Sequence, residues 1–250
     1  NELLEQQRDK QKALNEQLNQ ATQSKLTFFT NVSHDLRTPL TLIAEPVEQL
    51  AEANNLTVKQ QTLLSIATKN IRILKRLINQ ILDFQKYEHG KLDLHLREIA
   101  LAPLIKEWAE AFQSLARQRS MKLSVELAMD DSYTLALDPE KIERIFFNLL
   151  SNAFKYTPQN GKIFLRCSGD DQTLTLTVED NGQGIAKADL DHIFDRFYQV
   201  DRVHPQGSGI GLSLVKAFVE LHDGTIRAES EEGAYSRFIV NLPVRHVQEK

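Results

Sequence analysis

The sequence predicts two domains: a helical hairpin that pairs with a second copy into a four-helix bundle, followed by an α+β sandwich. Three observations carry this. Apolar residues recur at steps of three and four through two long runs before residue 89. After Leu92 the pattern changes to short alternating segments mixed with helical ones. At 250 residues and 41% hydrophobic composition, the chain is large enough for each part to bury its own core.

Residues 1–25 are rich in Gln, Glu, Lys and Asn, with Leu4, Leu14, Leu18 and Ala21 on a coiled-coil spacing interrupted by polar seam positions. The stripe continues through Phe29, Val32, Leu36, Leu40, Ile43, Val47 and Leu50, so one helix is expected to run to about residue 50. Pro39 and Pro46 fall inside it; each removes a backbone donor and crowds the preceding turn, which predicts a bend just after His34. The polar stretch 51–57 is a loop. A second stripe through Leu64, Ala67, Ile71, Leu74, Ile78, Ile81 and Phe84 predicts the return helix, ending at His89-Gly90. A lone hairpin leaves apolar faces uncovered, and a second copy covers them, hence a homodimer. The expected boundaries are 1–25 for a signalling coiled coil, 26–89 for the hairpin, 92–243 for the sandwich and 244–250 for a polar tail or linker.

In the sandwich, residues 102–117 are helical by period and 122–127 alternate as a strand. Asp138-Pro139-Glu140 is a helix start, with Asp as N-cap and Pro in the first turn, and that helix is expected to reach Tyr156. Residues 162–167 and 173–178 form a hairpin around Gly169-Asp170-Asp171. A helix over 209–221 and strands over 225–229 and 236–241 complete the order, a sheet covered by helices on one face.

The net charge of −4 and the lack of a long basic block argue against a nucleic-acid partner. One cysteine, Cys167, excludes an internal disulfide and a cysteine-rich zinc site, and reads as a small apolar strand residue. No apolar run is long enough to cross a bilayer and no signal peptide is recognisable, so a membrane would be reached only through parts of a parent protein outside this sequence.

His34 is followed by Asp35 and, one helical turn on, by Thr38. A neutral imidazole near its ordinary value of about 6.5 is nucleophilic, and a neighbouring carboxylate fixes its tautomer. Asn148, Asn152 and Lys155 fall on one helical face, two amides and a cation suited to a triphosphate and its magnesium. Asp180 precedes Gly182, Gly184 and Ile185 in a turn after a strand, and Gly207-Ser208-Gly209-Ile-Gly211-Leu212 opens a helix whose N-terminus can receive phosphate. Each feature alone has a bland reading as solvated surface or ordinary turn.

Taken together and in order, they resemble the cytoplasmic kinase core of two-component sensor histidine kinases, over roughly residues 22–243. Ser33-His34-Asp35-Leu-Arg-Thr38-Pro-Leu resembles the phospho-acceptor box, with Asp35 where the family usually has Glu. Asn148 to Pro158 resembles the N box, Asp180 to Ile185 the G1 box, Ile193-Phe194-Asp-Arg196-Phe197-Tyr the F box and Gly207 to Leu212 the G2 box of the Bergerat, or GHKL, ATP-binding fold. The resemblance implies ATP and Mg²⁺ as cofactors. It makes His34 the phospho-acceptor, Asp35 its acid/base partner and Thr38 a phosphatase residue. Asn152 would hold Mg²⁺, with Asn148 and Lys155 at metal or phosphates, Tyr156 along adenine and Asp180 on the adenine amine. Residues 199–206 would form a lid. Gln199 stands where many relatives have Arg, so a lid cation for the γ-phosphate falls to Arg196 or Arg202. The implied partners are a second copy and a response-regulator receiver domain, separate or fused, with the chain on the cytoplasmic side of a bacterial inner-membrane sensor. An ATP-hydrolysing clamp of the same fold would need a glutamate where this chain has Asn148 and would lack the acceptor box; a non-catalytic dimer would not need the intact asparagines and glycines.

Overall fold

The computed structural model describes residues 8, 11, 12, 36, 39–50, 56–88, 92–195, 198–200 and 209–245. The chain divides into two compact units, Asn1–Leu92 and Asp93–Lys250.

In the first unit residues 39–50 are helical (α1), so Pro39 and Pro46 both lie inside a helix. The bend expected after His34 and the coiled coil over 1–25 fall outside the described residues. Helix α2 spans Val58–Glu88. Thr57 caps its start reciprocally with Gln60: Thr57 N–H donates to Gln60 Oε1 at 2.9 Å and Gln60 N–H to Thr57 Oγ1 at 3.4 Å. Leu40, Ile78 and Leu82 form the buried cluster, with Ile71 against it and Ala44 also buried. Among the described residues the periodic stripes are covered only in part. Ile43, Leu50 and Leu74 belong to them yet remain exposed, as do Leu42, Leu63 and Ile66, while Leu82, outside the predicted stripe, is buried.

The second unit holds β1 (Arg97–Ala100), α3 (Leu101–Gln118), β2 (Lys122–Ala128), β3 (Thr134–Leu137), α4 (Pro139–Tyr156), β4 (Lys162–Gly169), β5 (Thr173–Asp180), α5 (Lys187–Leu190), α6 (Gly211–Leu221), β6 (Thr225–Glu231) and β7 (Tyr235–Pro243). Strands run β2-β4-β5-β7-β6 in a mixed sheet, with β2 and β4 parallel and the other neighbours antiparallel. The pair β1-β3 forms a separate small antiparallel sheet. Alternation sets the faces: Ile163, Leu165 and Cys167 of β4 are fully buried, whereas Phe164 is exposed. Trp108 and Phe112 of α3 meet Phe146 of α4 at ring distances of 5.3 and 6.3 Å, and Phe112 stacks on Phe154 at 5.4 Å, which fixes α4 against α3. Burial pushes the Cys167 thiol up to about 12, so it stays protonated.

Two details depart from the sequence reading. Helix α6 begins at Gly211, not Gly209, because Gly209 has φ +68°, outside the helical region. Residues 244 and 245 are not a free tail: Val244 N–H donates to the Gln172 carbonyl at 2.8 Å, the Arg245 carbonyl accepts Ala136 N–H at 2.7 Å, and Arg245 pairs with Asp223.

Candidate functional site

Helix α4 is anchored at its start. Asp138 is its N-cap: its carboxylate accepts Lys141 N–H at 3.2 Å, the Lys141 ammonium at 2.6 Å and His95 N–H at 2.9 Å. Burial alone would raise this carboxyl, but those donors outweigh it and hold it below the ordinary value. Asp138 N–H donates to His222 Nε2 at 3.2 Å, so His222 carries its proton on Nδ1, which donates to the Phe218 carbonyl at 2.7 Å. Burial first, then nearby Lys141 and Arg245, lower the His222 value, opposed by the Phe218 bond and Asp138. The end of α6 is thereby clasped to the start of α4, and His222 packs as a neutral residue.

At the opposite end of this helix pair α4 presents the predicted face. Leu149 and Leu150 are fully buried, which turns Asn148, Asn152 and Lys155 outward from the core as partly accessible side chains. Asn148 Nδ2 donates to the Arg144 carbonyl at 2.8 Å. Its Oδ1 faces the start of α6, where a Cβ on Gly211 would lie 3.1 Å away. Lys155 Nζ donates to Tyr156 Oη at 2.7 Å and lies 4.4 Å from the Tyr156 ring centre. The last turn of α4 is held by Arg119, whose Nη1 donates to the Phe154 carbonyl at 2.8 Å, and by Thr157 Oγ1, which donates to the Ala153 carbonyl at 2.6 Å.

The turn after β5 packs against this end of α4, since Gln183 N–H donates to the Tyr156 carbonyl at 3.2 Å. Asp180, only 3% exposed, accepts Gly182 N–H at 2.9 Å. Burial pushes its carboxyl up to about 6, opposed by the bond from Gly182, with Glu179 adding to the rise. Gly184 has φ +67°, and a Cβ on it would sit 2.0 Å from the Glu231 carbonyl oxygen, so only glycine allows this turn to approach β6. Ile185 N–H donates to Ser230 Oγ at 2.8 Å. Phe194 meets Phe238 edge-on at 6.4 Å, and Tyr198 Oη donates to the Asp189 carboxylate.

The structure thus brings Asn148, Asn152, Lys155, Tyr156, Asp180, Gly182, Gly184, Ile185 and Gly211 to one side of the second unit. His34, Asp35, Thr38, Arg196, Phe197, Arg202, Gly207 and Ser208 lie outside the described residues. Three residues at the site were not singled out from sequence: Thr157, Ser230 and Ser236. Ser236 is buried opposite Asp180 across the β5-β7 pair, and its one signal is a polar residue in the buried phase of an alternating strand. Chemically, the arrangement offers a buried carboxyl beside an open backbone turn at one end, and amide oxygens with a cation at the other. Among the described residues no three His, Cys, Asp or Glu side chains gather to hold a metal. A divalent ion on Asn148 or Asn152 would therefore draw other oxygen ligands from phosphate and water, as Mg²⁺ does.

Comparison with known proteins agrees with this fold. Residues 137–246 match the family described as Histidine kinase-, DNA gyrase B-, and HSP90-like ATPase, and residues 24–90 match the His Kinase A (phospho-acceptor) domain. The chain is 37% identical over 241 residues to Histidine kinase P4 of Formosa agariphila, covering 94% of this chain and 17% of that protein. It is 34% identical over 252 residues to the hybrid signal transduction histidine kinase D of Dictyostelium discoideum, covering 96% of this chain and 16% of that one. It thus spans less than a fifth of the length of either relative. Full-length ShkA, solved in complex with AMPPNP, shares the fold with a TM-score of 0.73 at 24% identity, over 88% of this chain and 46% of that one. A phospho-acceptor helical domain followed by a mixed-sheet ATPase domain, matched in that order, means that the chain belongs to the histidine kinases of two-component signal transduction.

Proposed function

We propose that this chain is the catalytic core of an ATP-dependent protein-histidine kinase that phosphorylates His34 and passes the phosphoryl group to an aspartate of a response-regulator receiver domain. The observation that carries the nucleotide half is the buried Asp180 carboxyl beside the Gly182–Gly184 turn, joined through the Tyr156 carbonyl to the end of α4 that bears Asn152 and Lys155. Asp180 accepts the adenine amine, the turn admits the ring, and Asn148, Asn152, Lys155 and the start of α6 address the phosphates, with Arg196 or Arg202 as the lid cation. Mg²⁺ on Asn152, together with Asn148, supplies charge neutralisation at the phosphates. A neutral His34 nitrogen attacks the γ-phosphorus, the P–N bond forms as the bond to the bridging oxygen breaks, and ADP leaves. Asp35 holds the other ring nitrogen, and Thr38 orients water for hydrolysis of the phosphorylated receiver. The exposed apolar residues of α1 and α2 support a homodimer through a four-helix bundle. Among the described residues no helix is long and apolar enough to cross a membrane, and the family supports a cytoplasmic core within a membrane-anchored sensor.

The test is incubation with γ-labelled ATP and Mg²⁺. Acid-labile label on the parent, absent from His34→Ala and Asn152→Ala, is the expected result. ATP consumption without protein labelling would sink the acceptor assignment.

A further inference from the structure

Ser230 of β6 stands where three backbone segments of the site converge. Its Oγ accepts Ile185 N–H at 2.8 Å, lies 2.5 Å from the Tyr235 carbonyl oxygen and 3.3 Å from Ser236 Oγ. A hydroxyl has one proton and two lone pairs. A carbonyl can only accept, so the proton goes to Tyr235, and the lone pairs receive Ile185 N–H and face the Ser236 hydroxyl. Ile185 closes the turn that begins at Asp180, and Ser236 is the cross-strand neighbour of Asp180 on β7. The same hairpin also holds the turn by backbone alone, through Gly233 N–H donating to the Gln183 carbonyl at 2.7 Å. Of these fastenings, the Ser230 hydroxyl is the side-chain one.

We propose that Ser230 is a positioning residue for nucleotide binding: its hydroxyl ties the Asp180–Ile185 turn to the β6-β7 hairpin and so holds the adenine end of the site in its binding shape. The inference rests on the nucleotide-site reading above. Ser230 acts through backbone and touches no phosphate, so its loss falls on the part common to ATP and ADP. Removing the acceptor leaves Ile185 N–H unpaired and lets the turn relax. A lost hydrogen bond of ordinary worth corresponds to a Kd increase of about fivefold to tenfold. A residue that merely stabilised the fold would lower Tm without this matched loss.

The experiment is titration calorimetry of the whole chain with ATP and with ADP in Mg²⁺, on the parent, Ser230→Ala and Ser230→Thr, with amide hydrogen exchange at Ile185. The expected result is equal weakening of ATP and ADP in Ser230→Ala, faster exchange at Ile185, and binding within about twofold of the parent in Ser230→Thr, where the hydroxyl remains. Binding of both nucleotides by Ser230→Ala as tightly as by the parent overturns the inference alone. So does equal weakening by Ala and Thr, which would make the effect steric, or unchanged exchange at Ile185. A parent that binds neither nucleotide overturns the nucleotide-site reading and this inference with it.

Discussion

In its proposed role on the adenine amine, Asp180 would trade stability against binding. Its folded value of about 6 lies above the 3.8 of the free side chain, so the folded state holds this proton more tightly than the unfolded one. The stabilisation it gives is fully present below 3.8, declines as pH rises and is gone above about 6. Asp180→Asn removes that penalty. At neutral pH the variant is expected to be more stable than the parent by roughly 2–3 kcal/mol, a difference that vanishes toward pH 4, as followed by denaturant titrations across that range. The same variant should bind ATP at least about tenfold more weakly. With its oxygen kept on Gly182 N–H, the new amide NH₂ points a donor at the adenine amine. In the parent, ATP affinity is expected to fall below pH 6 as the carboxylate protonates, with proton release on binding measurable by calorimetry in buffers of different ionisation heat.

At the scale of elements, the anchoring of α4 is the sharpest case. Asp138→Ala removes the N-cap and leaves Lys141, 7% exposed, without its carboxylate, and is expected to destabilise the second unit by about 3 kcal/mol. Thr57→Ala, at the exposed cap of α2, should cost only about 0.5–1 kcal/mol. Fluorescence of Trp108, the one tryptophan, follows the second unit by itself. The start and end of α4 were legible because Asp138-Pro139 signals a cap and the Leu149-Leu150 period sets its face. Strands β1 and β3 were not, since each has four residues and their pairing joins positions such as Arg97 and Leu137, about forty apart. Helix α5, also four residues, is too short for a period. Asp180 and the glycines were legible as a motif. Ser230 and Ser236 meet through a hairpin register that only folding reveals.

For the molecule as a whole, the uncovered apolar face of the hairpin predicts self-association. Changing exposed Ile43 and Ile66 to Asp together should shift the chain toward monomer in sedimentation velocity while leaving Trp108 fluorescence of the second unit unchanged. A hairpin variant that stayed fully dimeric would place the dimer contact elsewhere. The buried Cys167 has a practical consequence. With its thiol enclosed by the core and pushed up to about 12, the native chain presents no reactive sulfur to alkylating reagents. A probe attached through an introduced surface cysteine therefore goes to one chosen place without removing the natural one. Slow modification of Cys167 itself becomes a clock for how often the second unit opens.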